Sequence, residues 1–200
     1  MIETIGTKKT KREIILETAV QLFREKGYSA TTMRDIAEKV GMEAASLYNH
    51  IRSKEEILRE ICFGVAANYH AHLEQVLAQK MSPLHKVKML IRLQINMITS
   101  NPSASLISNF EWKHLTEEDK MMFIKTRKTY EDGFRKCIDS AMAVGEMKRM
   151  NSTVAMHAIL ASVRWMDQWY RPDGDISSDV LEEDMITLLL NGLENTKPKG

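Results

Sequence analysis

The residues best equipped for chemistry lie between Thr32 and Lys54, and the chemistry they suit is recognition. The stretch GMEAASLYNHI, residues 41–51, sets small side chains beside hydrogen-bonding ones. Ser46 can donate or accept, Asn49 can bond an adenine edge through two hydrogen bonds, and Ala44 or Ala45 can touch a thymine methyl. Arg34, ahead of this stretch, suits a guanine. Thr32, Tyr48, His50 and Lys54 carry donors for phosphate oxygens, which position a protein on a duplex without reading its sequence. Lys8, Lys9, Lys11 and Arg12 form a small basic arm. Glu43 is the exception in a segment facing a polyanion. It can accept from a cytosine amino group, but a role as helix N-cap, favoured by the helix dipole, is the preferred reading.

Catalytic chemistry finds no comparable set. His70 and His72 are two apart, which splits them across a helix, and His85, His114 and His157 are isolated. No glycine-rich phosphate loop, nucleophile elbow or paired-histidine zinc motif occurs. Cys62 and Cys137 have no metal-ligand spacing, and two cysteines in 200 residues suit a reducing cytoplasm. The sequence therefore predicts no catalytic residue, no metal and no cofactor. The N-terminus lacks an apolar signal core, and no run approaches 18 apolar residues, so a cytoplasmic protein with no membrane span is expected.

Net charge is +1, and residues 1–60 hold 11 basic and 10 acidic side chains, so any electrostatic footprint is local. With 44% hydrophobic and 28% charged residues, few prolines and many Met, Leu, Glu and Lys, the chain favours helix throughout.

Helical periodicity supplies the elements that must hold these residues. Ile15, Ala19, Leu22 and Phe23 recur on one face, ending at Gly27. Thr32 caps MRDIAEKV, Gly41 stops it, and AASLYNHI follows. Ser53, with Glu56 in a capping box, opens a long helix over 54–79. Further helices begin at Ser82–Pro83, after Asn101–Pro102, at Thr116 with Asp119, at STVAMHAILASVRWMDQWYR and at SSDVLEEDMITLLLNGLE, giving about nine in all. The fold class is all-α: a three-helix head over residues 1–55 and a larger helical bundle over 56–200.

Within the head, Ile36 and Val40 share a face, as do Leu47 and Ile51. Ala37 and Gly41 are small where two helices would cross. This is a helix-turn-helix pattern with Ala45, Ser46 and Asn49 turned outward. Residues 12–58 resemble the N-terminal domain of the TetR family of bacterial transcriptional regulators. The resemblance rests on Gly27–Tyr28, Thr31–Thr32, Ile36–Ala37, Gly41, Leu47–Tyr48 and Lys54–Glu55. It implies that Arg34, Ala44, Ala45, Ser46 and Asn49 read bases and that Thr32, Tyr48, His50 and Lys54 hold phosphates of double-stranded operator DNA. Ile51 replaces the aromatic residue usual after His50, which weakens packing slightly.

One head reads few base pairs, so a homodimer with two heads about one helical turn apart is expected. VAMHAILASVRWM and MITLLLNGL are apolar almost all round, and the resemblance assigns this pair to the dimer interface. The bundle is rich in Met and aromatics. Met89, Met97, Phe110, Trp112, Phe123, Trp165, Met166 and Trp169 are the candidates to line a cavity for a hydrophobic small-molecule effector. VRWMDQWYRPDG is similar to a stretch in regulators of fatty-acid and sterol breakdown, which implies a fatty acid or acyl-CoA. Arg92, Lys113, Lys125, Arg127 and Lys128 are available for a charged ligand. A multidrug-type pocket, with Glu111 or Asp167 facing aromatics, and a body without any ligand are the alternatives. The expected action is repression, relieved when the effector alters the separation of the heads.

Overall fold

The computed structural model describes residues 9–191. The first helix, α1 (Lys11–Lys26), is closed by a capping box in which Thr10 and Glu13 satisfy each other's backbone N–H. A second capping box, Thr32 with Asp35, starts α2 (Met33–Val40). Gly41, at φ 74°, ends α2 in the left-handed conformation that a side chain disfavours. The third helix, α3 (Ala44–Leu47), is a single turn followed by hydrogen-bonded turns as far as Ile51. It is thus shorter than the expected helix over AASLYNHI.

Ser53 caps α4 (Lys54–Ala78) by accepting from the Glu56 N–H. Glu56 reaches back to the Arg52 N–H rather than to Ser53, so the box is shifted by one residue. Ser82 and Pro83 start α5 (Pro83–Ser100), and Asn101 caps α6 (Pro102–Phe110). A 3-10 turn over Trp112–His114 leads to α7 (Glu117–Ala143), capped by Thr116. The expected eighth helix breaks at Trp165 into α8 (Ser152–Arg164) and α9 (Met166–Trp169), and α10 (Ser178–Asn191) follows. No β-strand occurs among the described residues, and none of their helices is long and apolar enough to cross a membrane.

Two apolar clusters hold the chain together. One joins Ile15, Leu22, Phe23, Ile36, Leu47 and Ile51 to Ile57, Leu58 and Cys62 of α4, and continues to Ala104 and Ile107 of α6, Leu115 and Phe123. Ile51 is fully buried here despite not being aromatic. The other binds α4, α5, α7, α8 and α10 through residues such as Leu90, Ile95, Phe134, Ile159 and Leu190. The helix α4 serves both clusters, with Ile57–Ala66 in the first and Leu73 and Val76 in the second. An expected boundary at 55/56 falls two residues inside α4, just ahead of Ile57 of the first cluster.

Candidate nucleic-acid interface and enclosed cavity

The α2–α3 pair presents one polar surface. Leu47 and Ile51 are buried, and Arg34, Ala45, Tyr48 and Asn49 are exposed, with Ser46 and His50 half-buried beside them. Ala44 instead packs against the first apolar cluster, so its methyl is partly turned inward. Arg34 carries no ion pair among the described residues. Thr32 and its N–H are occupied by Asp35, whose carboxyl is held down to about 2 by these hydrogen bonds. Glu43 stands at the N-cap position of α3, but its side chain makes no capping hydrogen bond, so the cap reading of this carboxylate does not hold.

Two expected phosphate ligands are committed elsewhere. The Lys54 ammonium donates to the carbonyls of Tyr28 at 2.8 Å and Thr31 at 2.7 Å, and more distantly to Ser29. It also sits 4.4 Å from the Tyr28 ring centre. An ammonium has three donors, so its side chain is spent on tying the α1–α2 loop to the start of α4. Arg12 likewise donates to the His50 carbonyl and pairs with Glu56 and Glu60, fastening α1 to α4. Lys9 pairs with Glu17, Lys11 is exposed, and Lys8 lies outside the described residues. The basic arm therefore shrinks, because charged side chains near carbonyls and carboxylates find those partners first.

Between α4, α5, α6, α7 and α8 lies a small cavity of about 30 Å³. Val65, Ala66 and Phe123 supply its apolar wall, and Tyr69, Tyr130, Arg127 and Arg164 are its main polar groups. The Gln94 amide donates to the Tyr130 hydroxyl at 2.9 Å, leaving the phenol O–H free to donate. Asn109, also on the wall, donates to Asp167. Asp167 is only 6% exposed, its second carboxyl oxygen has no partner, and burial raises its pKa to about 6.

Of the eight residues expected to line a cavity, Phe123 does so. Trp112 packs on Phe123 with ring centres 6.1 Å apart, one layer behind it. Met166 is fully buried in the second apolar cluster, and Met89 packs against that cluster's edge. Met97 lines an open groove between α5 and Tyr170, and Phe110 is largely exposed. Trp165 and Trp169 point outward into a shallow groove with Met185, Leu188 and Leu189 of α10. The aromatic string is turned opposite to expectation: its acid is inside and its tryptophans are outside. The buried stripe of Ile159, Leu160, Val163, Met166, Asp167 and Tyr170 keeps helical spacing across Trp165, which leaves Trp165 and Trp169, four apart, on the opposite face.

The cavity residues that sequence reasoning missed carried a signal. Gln94 sits four residues from both Leu90 and Ile98, and Arg127 four after Phe123 and three before Tyr130. Each is a polar residue on an otherwise apolar helical stripe, a pattern that marks a hydrogen-bonded or ligand-facing interior position.

The cavity adjoins elements that touch the head. Arg24 of α1 donates to Ser103 of α6 at 3.1 Å, and Arg59 of α4 pairs with Asp119 of α7 at 2.9 Å. Tyr28 stacks on His114, just beyond α6, at 5.2 Å. The outer faces of α8 and α10 expose Val154, Trp165, Val180 and Leu188, the last at 73%. Isolated exposed apolar residues are ordinary, but several on two adjacent helices mark an interaction face.

Comparison with known proteins accords with this architecture. A family model described as bacterial regulatory proteins, tetR family, matches residues 15–61, and one described as a tetracyclin repressor-like C-terminal domain matches residues 80–193. The chain is 26% identical over 188 residues to the HTH-type transcriptional repressor KstR2 of Rhodococcus jostii, covering 93% of this chain and 92% of that one. The structure of the ketosteroid transcriptional regulator KstR2 of Mycobacterium tuberculosis shares the fold, with TM-score 0.89 at 23% identity over 94% of this chain and 97% of the other. The structure of AibR in complex with isovaleryl coenzyme A and operator DNA matches with TM-score 0.81 at 26% identity, over 90% and 97% of the two chains. A head with a helix-turn-helix, a helical body with an enclosed cavity, and matches to both family models lead to one assignment: the chain belongs to the TetR family of bacterial transcriptional regulators.

Proposed function

We propose that this regulator is a homodimeric repressor that binds a two-fold operator through its heads and releases it when a hydrophobic effector, a fatty acid or acyl thioester, fills the cavity. The cavity carries this reading. Its walls include α4 and α6, the two body helices joined to the head by covalent continuity and by the Arg24–Ser103 contact. An occupant that displaces either helix moves the head with it, and a ligand acts only to the extent that it prefers the displaced state.

Arg34, Ala45, Ser46 and Asn49 are assigned to base edges, with Tyr48 and His50 on phosphates. The assignment of Ala44 to a thymine methyl is weakened by its packing, and that of Thr32 and Lys54 to phosphates by their existing hydrogen bonds. The exposed face of α8 and α10 is assigned to the dimer interface, and the division into a reading head of residues 1–55 and a sensing body of 56–200 is functional rather than structural. The protein acts by binding and not by catalysis.

A multidrug-type pocket for cations is the less favoured reading, because the charged side chains lining the cavity are Arg127 and Arg164. The test is fluorescence anisotropy of a labelled operator, selected from random duplexes, titrated with acyl thioesters and fatty acids. Release of DNA at saturating effector supports the proposal. DNA binding indifferent to every acyl ligand, or an Arg34→Ala protein with unchanged affinity and specificity, would count against it.

A further inference from the structure

Glu43 is the unexplained charge of the reading surface. It stands at the N-cap of α3, directly before Ala44 and Ala45, and it is exposed. Neighbouring carboxylates are committed: Asp35 bonds Thr32 and pairs with Lys26, and Glu25 pairs with Lys39. Between Thr32 and Ile51, the carboxylates of Glu38 and Glu43 alone make no hydrogen bond or ion pair among the described residues. Glu38 lies on α2, one turn after Arg34. Glu43 lies at the start of the second helix of the motif, the part of a helix-turn-helix that meets base edges. Capping would have given this carboxylate a use inside the protein, and that bond is not made. A free carboxylate is repelled by the phosphates of every sequence, so it lowers affinity unless a base donates to it. In the major groove guanine and thymine offer it no donor, and adenine sets the acceptor N7 beside its amino group. Cytosine offers an amino group alone, so it is the base that suits a side chain able only to accept.

We infer that Glu43 is a base-reading residue, and that each operator half-site holds a cytosine whose amino group donates to its carboxylate. The inference rests on the reading of α2 and α3 as the operator surface, and it adds a residue that selects by exclusion. Arg34, Ser46 and Asn49 reward a fitting base. Glu43 also penalises a misfit, because thymine turns O4, and guanine O6 and N7, toward its oxygens. The same charge weakens binding to random DNA, which outnumbers the operator, so specificity rises while non-specific affinity falls.

Operators are selected from random duplexes with the full-length protein, with Glu43→Gln and Glu43→Ala, and with Glu38→Gln as a charge control. Glu43 is exposed and its side chain bonds nothing, so these variants keep the fold, which circular dichroism checks. The unsubstituted protein is expected to select one position per half-site where cytosine is required and where only the Glu43 variants relax. In fluorescence anisotropy at fixed salt, exchanging that cytosine for thymine weakens its binding about fivefold or more. In Glu43→Ala the ratio falls close to one, and the thymine duplex is bound more tightly than before the substitution. Glu43→Gln, whose amide both donates and accepts, shifts the preference toward adenine. Glu38→Gln keeps the cytosine. A selected motif without such a cytosine, a cytosine preference that survives both Glu43 variants, or an equal loss of it in Glu38→Gln overturns the inference. Selection with Arg34→Ala, run in parallel, separates the two readings. If it changes a base preference where the Glu43 variants change none, the reading surface stands and only Glu43 falls. If neither position changes any preference, the surface reading falls as well.

Discussion

Replacing Lys54 by methionine distinguishes a phosphate ligand from a structural tie. The ammonium donates two short hydrogen bonds, at 2.7 and 2.8 Å, to carbonyls of the loop between α1 and α2, and it faces the Tyr28 ring. Each hydrogen bond to a charged group is worth about 1.5–3 kcal/mol, and a cation over an aromatic face about 0.5–2 kcal/mol. Methionine keeps the apolar stem, and water can reach the freed carbonyls because the site is only half-buried. The low end therefore applies, a loss of about 2–4 kcal/mol. Urea unfolding followed by circular dichroism, at fixed protein concentration, measures it. Operator affinity is measured in parallel over a salt series, since each lost phosphate contact lowers the log–log slope by about 0.9. The expected outcome is a marked loss of stability with the slope essentially unchanged. A slope reduced by about one with stability intact would refute the structural assignment and return Lys54 to the DNA.

Gly41→Ala meets open space around the added methyl but must hold φ at +74°, so it costs about 1–2 kcal/mol through the backbone alone and lowers Tm by a few degrees in a thermal melt. For Asp167, burial raises the folded pKa to about 6, above its unfolded value near 3.8, so the folded state holds the proton more tightly. That contribution is fully present below the unfolded value and is lost as pH rises through about 6. Asp167→Asn, which keeps an acceptor for Asn109, should flatten this pH dependence and stabilise the protein at pH 7 by on the order of 2 kcal/mol, read from urea midpoints between pH 4 and 8. Leu188→Arg places a charge in the middle of the exposed α8–α10 face and should shift the protein from dimer to monomer in light scattering, with secondary structure retained.

The helix starts were legible because their signals are local. Thr32, Ser53, Ser82–Pro83 and Thr116 with Asp119 act within three residues, and each stands where the spacing put it. The buried side of α1 was legible from the recurrence of Ile15, Ala19, Leu22 and Phe23, and that of α2 from Ile36 and Val40, the first fully buried and the second partly buried against the same cluster. What failed depended on distant partners. Lys54 looked free because the carbonyls that bind it lie more than twenty residues earlier. Trp165 and Trp169 looked interior because hydrophobicity cannot distinguish a core from an exposed apolar face. Arg127 and Arg164 meet across one cavity only once α7 and α8 are packed, and no spacing in the chain encodes that meeting.

The apolar cluster that runs from Ile15 and Phe23 through Ile57 and Cys62 to Ala104, Ile107 and Phe123 bears on how this regulator can be re-targeted. A chimera that grafts a foreign first 55 residues onto this body would cut through that cluster. The graft would have to match α6 and the start of α7, more than forty residues downstream of the seam, before it could fold. The reading surface can be changed without such surgery. Ala45 and Asn49 contribute nothing to the cluster, so new operator specificities are best sought by varying these two side chains in place, on a scaffold whose sensing body is left whole.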